Sequence, residues 1–122
     1  MSIYISVFLG AGLGGVLRYW LSGVVQRYTG PLFPYGTFAV NLLGSFILGI
    51  VIFWLAEKEL AGREMKFFLT VGFCGGLTTF STFSLETFNL LRDREFLLAG
   101  GNVLLNVAAT IAAVYSAYIL SK

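Results

Sequence analysis

The chain has 122 residues, of which 57% are apolar and only 11% are charged. Soluble domains are about a quarter charged, so this chain has too little polar surface to coat a water-exposed globule. A single cysteine excludes an intramolecular disulfide, and the lack of histidine excludes histidine metal clusters and histidine-based catalytic relays. The formal charge of +2 comes from scattered residues rather than from a basic stripe that would bind nucleic acid.

Four long windows of the sequence contain almost no charge. A helix needs about 20 largely apolar residues to cross a bilayer, and in lipid a segment of this length can satisfy its backbone polar groups only as a helix. The apolar N-terminal stretch lacks the positive region of a signal peptide, so we expect it to be a retained helix. We therefore predict an all-α membrane protein with one domain and four transmembrane helices. The predicted spans are approximately residues 3–26, 36–56, 67–91 and 96–121.

The orientation in the membrane is ambiguous. Lys and Arg in short loops normally decide which side faces the cytoplasm, but here four basic residues on one side oppose three or four on the other. Insertion in both orientations is therefore expected, and its natural product is an antiparallel, dual-topology homodimer. The alternative is a single orientation set by features that the tally does not capture. The basic residues are Lys58, Arg63, Lys66 and Lys122 on the first side, and Arg27, Arg92, Arg94 and, if it snorkels there, Arg18 on the second.

Polar residues in the first two helices indicate which faces do not meet lipid, because polar side chains at membrane depth normally face a partner helix or a water-filled path. Gly10 and Gly14 form a GxxxG pair that predicts close helix packing. Arg18 either snorkels to the interface or lines a vestibule that attracts anions. In the second helix, Asn41 shares a face with Thr37, and its amide must either bond across a helix interface or meet a hydrated solute.

The fourth helix carries a row of polar residues. Asn102, Asn106 and Thr110 occur at steps of four residues, which places them on one helix face. Two interpretations of this row stay open. Either the three side chains form a polar track for a solute, or two of them hold neighbouring helices together by hydrogen bonds.

The third helix contains the most informative segment, GFCGGLTTFSTFS at residues 72–84. Its paired glycines and paired threonines weaken a helix, so we predict a break at mid-membrane. Backbone groups freed at that depth are tolerated only where they bind something or are buried in protein. Two phenylalanines after the break share a face beside a row of hydroxyls, although such a pair in an apolar helix is often only packing. These residues are Phe80 and Phe83, with Ser81 and Ser84 in the neighbouring row.

The polar groups at membrane depth favour a small anion. A cation path should show acidic rings or a carbonyl filter, but the only intramembrane carboxylate is Glu86, near a helix end. A large anion calls for several basic clamps, and only Arg18 is available. The remaining groups are amides, hydroxyls and the electropositive rims of phenyl rings, which suit a small and strongly hydrated halide.

Three segments carry a specific resemblance to a known family: residues 14–19, residues 36–46 and the motif GFCGGLTTFSTFSLE at residues 72–86. They resemble the Fluc, or CrcB, family of fluoride channels, and the resemblance covers all four helices in order. It implies a passive fluoride channel in the plasma membrane of a prokaryotic cell, which exports toxic fluoride. The family resemblance also implies an antiparallel homodimer with two pores, embedded in membrane lipid.

The resemblance also implies roles for individual residues. Phe80 and Phe83 would line the fluoride path, with Asn41 as a pore amide beside them. The backbone carbonyls of Gly75 and Thr78 would coordinate a sodium ion on the dimer axis, where two chains would supply four carbonyl ligands. The other residues expected along the pathway are Thr37, Ser81, Ser84, Asn106 and Thr110, with Arg18 in the vestibule or between helices.

Functions of other classes compete with this interpretation. A small proton-coupled multidrug exporter has a similar length and four helices, but it needs a titratable carboxylate deep in the membrane, usually in the first helix, where this chain has none. A second alternative is a non-transporting subunit whose polar rows hold a larger complex together. An enzyme is the least favoured class, because no nucleophile and base pair is visible.

Overall fold

The computed structural model describes residues 2–122, which form helices joined by loops. Four helical spans are long and apolar enough to cross a membrane, which confirms the predicted all-α class with four transmembrane helices. The first, second and fourth spans are Ile3–Thr29 (α1), Tyr35–Ala56 (α2) and Phe96–Leu120 (α5), and the third span, Arg63–Arg92, consists of residues 63–77 (α3) and Phe80–Arg92 (α4).

Helical hydrogen bonding stops between α3 and α4. The backbone is extended at Thr78, with φ −88° and ψ 159°, and at Thr79, with φ −149° and ψ 116°. Extended geometry suits β-branched threonine, whose side chain is crowded in a helix. Thr79 then serves as the N-cap of α4, because its hydroxyl oxygen accepts a hydrogen bond from the Thr82 amide at 3.1 Å. We call these two threonines the extended link.

Three of the spans contain a π-helical stretch that the sequence did not predict. These turns have an i→i+5 hydrogen-bond pattern, so each one shifts the register of the side chains that follow it. The stretch in α5 includes Asn106, the middle residue of the polar row. The stretches are Val51–Ala56, Phe68–Cys74 and Leu105–Ala109.

Helix α1 packs directly on α3, and glycines from both helices bring the two backbones together. A Cβ atom added to Gly14 would lie 2.9 Å from the amide nitrogen of Leu77, and one added to Gly72 would lie 2.9 Å from the carbonyl oxygen of Val7. Neither position has room for a methyl group. The packing interpretation of the GxxxG pair is therefore confirmed. The glycines at this contact are Gly10, Gly14, Gly72 and Gly76.

The remaining helices pack in sequence around this contact, and polar side chains fasten the loops. Helix α2 packs on α1 and on the second half of α5, while α4 packs mainly on the first half of α5. At one end, Gln26 donates to the carbonyl of Phe33 at 2.9 Å and accepts from the amide of Gly36 at 2.9 Å. At the other end, Lys58 donates to the carbonyl of Ser121 at 2.7 Å. Both loops are thus tied to the helices that position the site.

We expect Gly14→Ala to lower the free energy of unfolding by about 1–3 kcal/mol, because the added methyl group forces α1 away from α3. The measurement is a denaturation curve of the purified protein in detergent. Gly15→Ala is the matched control, because a Cβ atom at Gly15 meets nothing within 4 Å. Equal stability of the two variants would contradict the close contact between α1 and α3.

Candidate functional site

An open cleft of about 430 Å³ lies beside the extended link. Helices α2, α3, α4 and α5 all contribute to its walls, which are mainly apolar with several polar groups, as in most small-ligand sites. None of the described residues that line it carries a charge. We call it the link cleft. The predicted site residues that line it are Asn41, Gly75, Thr78, Phe80, Phe83, Asn106 and Thr110.

Several lining residues were not assigned to the site from the sequence. On α2, Gly44, Ser45 and Leu48 follow Asn41 at steps of three, four and seven residues. On α3, Thr70 and Cys74 precede Thr78 at steps of eight and four residues. Each set has the spacing of a single helix face. Once one member is known to line the cleft, helical spacing predicts the others.

The two phenylalanine rings of the motif differ in exposure. Phe83 is 9% exposed and forms part of the wall, whereas Phe80 is 79% exposed at the edge of the cleft. Their ring centroids are 5.5 Å apart and the ring planes are tilted by 55°. In a single chain, therefore, only one of the two rings is enclosed by protein.

Not every predicted site residue lies in the link cleft. Ser81 and Ser84 are exposed on the surface of α4 and line neither cleft described here. Thr37 lines a second cleft of about 500 Å³, which also contains Thr82 and Glu86. The Oε1 atom of Glu86 is buried there without a hydrogen-bond partner among the described residues. The predicted pathway residues thus lie in three places on the single chain.

Asn41 holds the extended link through both of its amide atoms. Its Oδ1 accepts a hydrogen bond from the amide of Thr79 at 2.7 Å, and its Nδ2 donates to the carbonyl of the same residue at 3.3 Å. The second N–H of Nδ2 donates to Oδ1 of Asn106 at 2.9 Å. Of the two alternatives for Asn41, the structure shows hydrogen bonding across helix interfaces. Both N–H groups have protein acceptors.

The polar row of α5 likewise holds helices together. Asn106 donates to Oδ1 of Asn102 at 2.9 Å, and Asn102 donates to the hydroxyl oxygen of Thr87 on α4 at 2.9 Å. Asn102 is fully buried and does not line the link cleft, whereas Asn106 and Thr110 do. The hydroxyl of Thr110 donates to the carbonyl of Asn106. The interhelical bonding that we predicted as one alternative for this row is therefore present.

Arg18 contacts the C-terminal end of α3. Its Nε atom donates to the carbonyl oxygen of Gly76 at 2.9 Å, and the side chain is part-buried. A helix leaves its last carbonyls without backbone partners, and a cation near them is favourable because the helix dipole is negative there. In this structure, Arg18 thus connects α1 to the last turn of α3.

The carbonyl oxygens near the extended link offer oxygen ligands for a cation. The amide of Thr79, which would close a helical bond on the carbonyl of Gly75, donates to Asn41 instead. Gly75 is exposed, and only the carbonyl of Thr70 lies within 4 Å of an added Cβ atom. Residues 2–122 contain no cluster of three His, Cys, Asp or Glu side chains that could hold a metal. Oxygen ligands for a cation near the link would therefore come from backbone carbonyls, such as that of Gly75, rather than from a cluster of such side chains.

Comparison with known proteins gives a consistent result. The profile of the family described as CrcB-like protein, Camphor Resistance (CrcB), matches residues 5–118. A relative from Geotalea uraniireducens (strain Rf4), named fluoride-specific ion channel FluC, is 46% identical over 98% of this chain and 95% of its own. A relative of the same name from Pyrococcus furiosus is 49% identical over 95% of this chain and 93% of its own.

We expect Arg18→Met to destabilise the protein by about 1–3 kcal/mol, because the part-buried carbonyl of Gly76 loses its side-chain donor. A thermal or chemical unfolding curve in detergent measures the change. Arg92→Gln is the matched control, because its ion pair with Asp93 at 3.4 Å is 61% exposed on both sides, and exposed pairs contribute little. Unchanged stability of Arg18→Met would show that the hydrogen bond to Gly76 does not hold α1 and α3 together.

Proposed function

Since this chain belongs to the CrcB family of fluoride-specific ion channels, it conducts fluoride and is not an enzyme, and we propose that the ion passes through the link cleft. The observation that carries the proposal is the chemistry of the wall, which combines neutral hydrogen-bond donors and phenyl rings with no charged side chain. Fluoride is small, so a few donors at close range can replace its water. A larger halide would fit such a narrow set of donors less well.

We propose that Phe80 and Phe83 present ring edges to the ion. The rim of a phenyl ring is electropositive and its face electronegative, so an edge-on ring stabilises an anion without a formal charge. Phe83 already forms part of the wall of the link cleft. Phe80 stands beside it with a centroid separation of 5.5 Å, which would allow both rings to meet one ion or two successive positions of it.

The amide and hydroxyl groups supply the other donors in this proposal. Asn41 donates its weakest hydrogen bond, at 3.3 Å, to the Thr79 carbonyl, so this is the bond that an anion would displace most easily. Asn106, which accepts a hydrogen bond from Asn41 at 2.9 Å, and Thr110 line the same cleft from α5. Ser81, Ser84 and Thr37 would belong to stretches of the pathway outside the link cleft, toward its ends.

We propose that the working unit is an antiparallel homodimer in membrane lipid. The link cleft is open on the side of the single chain, and polar groups that face acyl chains are unfavourable. Phe80 at the edge of the cleft and Ser81 and Ser84 on the surface of α4 are exposed in the single chain, and a second copy would cover them. The nearly equal basic charge on the two sides favours insertion in both orientations. Two-fold symmetry would give two equivalent clefts and hence two pores.

The carbonyl oxygens of Gly75 and Thr78 are the groups that would hold a sodium ion at the dimer axis. In a two-fold dimer, each chain would contribute the same two carbonyls, so the axis would collect four oxygen atoms. Gly75 suits this arrangement, because its backbone is exposed in the single chain and its carbonyl lacks the helical partner supplied by Thr79. Bound sodium would supply a positive charge that keeps the two extended links together.

The proposed physiological role is passive export of fluoride across the plasma membrane of a prokaryotic cell, which lowers its toxicity in the cytoplasm. A membrane potential that is negative inside drives anions outward by about 2.3 kcal/mol per 100 mV. A channel selective for fluoride would therefore empty the cytoplasm of this ion without an energy source of its own. Selectivity against chloride is required, because chloride flux through the same channel would dissipate the membrane potential.

We expect Phe80→Ile and Phe83→Ile to reduce fluoride efflux from liposomes by about a hundredfold or more, because isoleucine has no electropositive ring edge. Efflux is measured with a fluoride electrode after the membrane potential is released, with chloride efflux as the selectivity control. Phe88→Ile is the matched variant, because Phe88 is exposed on the same helix and lines neither cleft. Normal fluoride efflux in both variants would show that the Phe80 and Phe83 rings do not line the ion pathway.

We expect the purified protein to be a dimer whose stability depends on sodium. Light scattering in detergent should give the mass of two chains. Replacement of sodium by N-methylglucamine should lower the unfolding temperature and slow fluoride efflux, because the four carbonyls would be left without a cation. Conduction by a monomer would exclude the dimer proposal, and identical stability and efflux in the two media would exclude the sodium site.

A further inference from the structure

A continuous series of hydrogen bonds begins at the amide of Thr79, the residue before α4, passes through α2 and α5, and returns to α4 at Thr87. All five bonds run in the same direction, so each residue accepts from the one before it and donates to the one after it. We call this series the amide circuit. Its bonds are Thr79 N to Asn41 Oδ1 at 2.7 Å, Asn41 Nδ2 to Asn106 Oδ1 at 2.9 Å, Asn106 Nδ2 to Asn102 Oδ1 at 2.9 Å, Asn102 Nδ2 to Thr87 Oγ1 at 2.9 Å, and Thr87 Oγ1 to the Phe83 carbonyl at 2.8 Å.

The three asparagines of the amide circuit are buried, and Thr87 near its end is half-buried. Asn41 is 9% exposed, Asn106 is 6% exposed and Asn102 is fully buried. Each asparagine uses its oxygen toward one neighbour and its nitrogen toward the other, so rotating one amide by half a turn would break two bonds at once. Where water is excluded, no solvent molecule replaces a lost partner, and a partly satisfied network is costly. The circuit therefore holds one arrangement.

The two ends of the circuit lie on either side of the phenylalanine pair. One end is the amide of Thr79, the N-cap residue immediately before Phe80. The other end is the carbonyl of Phe83, reached through Thr87. Helix α4 packs mainly on α5 and has little contact with α2. The circuit thus fixes the rotation of α4 about its own axis, and this rotation decides where both rings point.

We propose that Asn102 and Thr87 are positioning residues for fluoride conduction, which act by fixing the direction of the Phe80 and Phe83 rings. This inference rests on the proposed function, in which the rings line the ion path. Neither Asn102 nor Thr87 lines the link cleft or the second cleft, so neither is placed to meet the ion. Their influence passes through hydrogen bonds to residues that do line the path.

The first test compares fluoride efflux from liposomes for variants that open the circuit. Thr87→Val keeps the shape of the side chain but removes both hydrogen bonds, and Asn102→Leu removes the amide that donates to Thr87. We expect each to slow efflux by about tenfold or more, because a small displacement of a binding group has a large effect on rate. Thr87→Ser, which retains the hydroxyl, should recover most of the efflux that Thr87→Val loses.

Ser116→Ala is the matched control for the loss of a hydroxyl. Ser116 lies on α5 and donates only to the carbonyl of Ala112 at 2.9 Å, the same kind of bond that Thr87 makes to Phe83. This variant should conduct at the normal rate. All variants are compared as dimers isolated by size exclusion. If Asn102→Leu does not fold, the Thr87→Val and Thr87→Ser pair decides the question by itself.

The second test reads the ring direction itself. 4-Fluorophenylalanine placed at position 80 gives one fluorine-19 resonance in the folded protein. In the Thr87→Val background we expect this resonance to shift or broaden, and in the Ser116→Ala background to stay unchanged. A purely stabilising role of Thr87 would leave the resonance of the folded protein where it is.

The outcomes separate the inference from the function on which it rests. If Phe80→Ile and Phe83→Ile conduct normally, the proposed path is wrong, and the inference falls with it. If those variants are inactive while Thr87→Val conducts like Ser116→Ala, the path stands and only the positioning role is overturned. The same holds if Thr87→Ser is as impaired as Thr87→Val, or if efflux falls while the fluorine resonance does not move.

Discussion

The pairing of Asn41 with Thr79 is the interaction on which the rest of the site depends. Two residues of extended backbone between α3 and α4 leave peptide groups without helical partners, and in an apolar environment each such group is costly. Asn41 binds both the amide and the carbonyl of Thr79, so one side chain on α2 satisfies the peptide groups of that residue. The cost of the break is thereby lowered, and α4 begins with a capped first turn. Without this pairing, the link would have no reason to stay extended, and the cleft beside it would close or change shape.

The chemistry of the link cleft explains how a neutral wall can serve an anion. A charged clamp would hold a halide tightly and would also attract other anions, whereas amides, hydroxyls and ring edges give weaker contacts whose sum depends on a close fit. The structure places these groups on four helices around one opening. The only basic residue at membrane depth, Arg18, contacts the end of α3 instead of the cleft. Its charge is thereby held at the last turn of a helix, and the residues that line the link cleft are uncharged.

The four spans could be predicted from the sequence, because charge spacing depends on the chain alone. Seven of the fifteen residues that line the link cleft were predicted as site residues, from helical periodicity together with the family resemblance. The contacts of Gly10 and Gly14 were also predictable, since a GxxxG pair in an apolar segment has few other uses. The role of Thr87 could not be predicted, because the sequence does not show that the Thr87 hydroxyl lies 2.9 Å from the amide nitrogen of Asn102 on the next helix.

The placement of Thr37 in a separate cleft with Glu86 was missed for a related reason. Thr37 and Asn41 point in similar directions from the axis of α2, but they lie one turn apart along it. At the level of Thr37 the neighbours are residues of α1 and α4, as the lining of the second cleft shows. The π-helical stretches add register shifts that no simple period contains.

The glycine contact between α1 and α3 has a mechanical consequence. Two backbones that touch without intervening side chains have no rotamers to exchange, so these two helices must move as a single stiff unit. Helices α4 and α5 meet instead through side chains, among them Asn102 and Thr87, which are joined by a hydrogen bond of 2.9 Å. A passage bordered by both pairs of helices would therefore be held by backbone contact on one side and by side-chain hydrogen bonds on the other. A single substitution can alter the side that carries the aromatic pair, whereas a change on the glycine side has to separate two backbones.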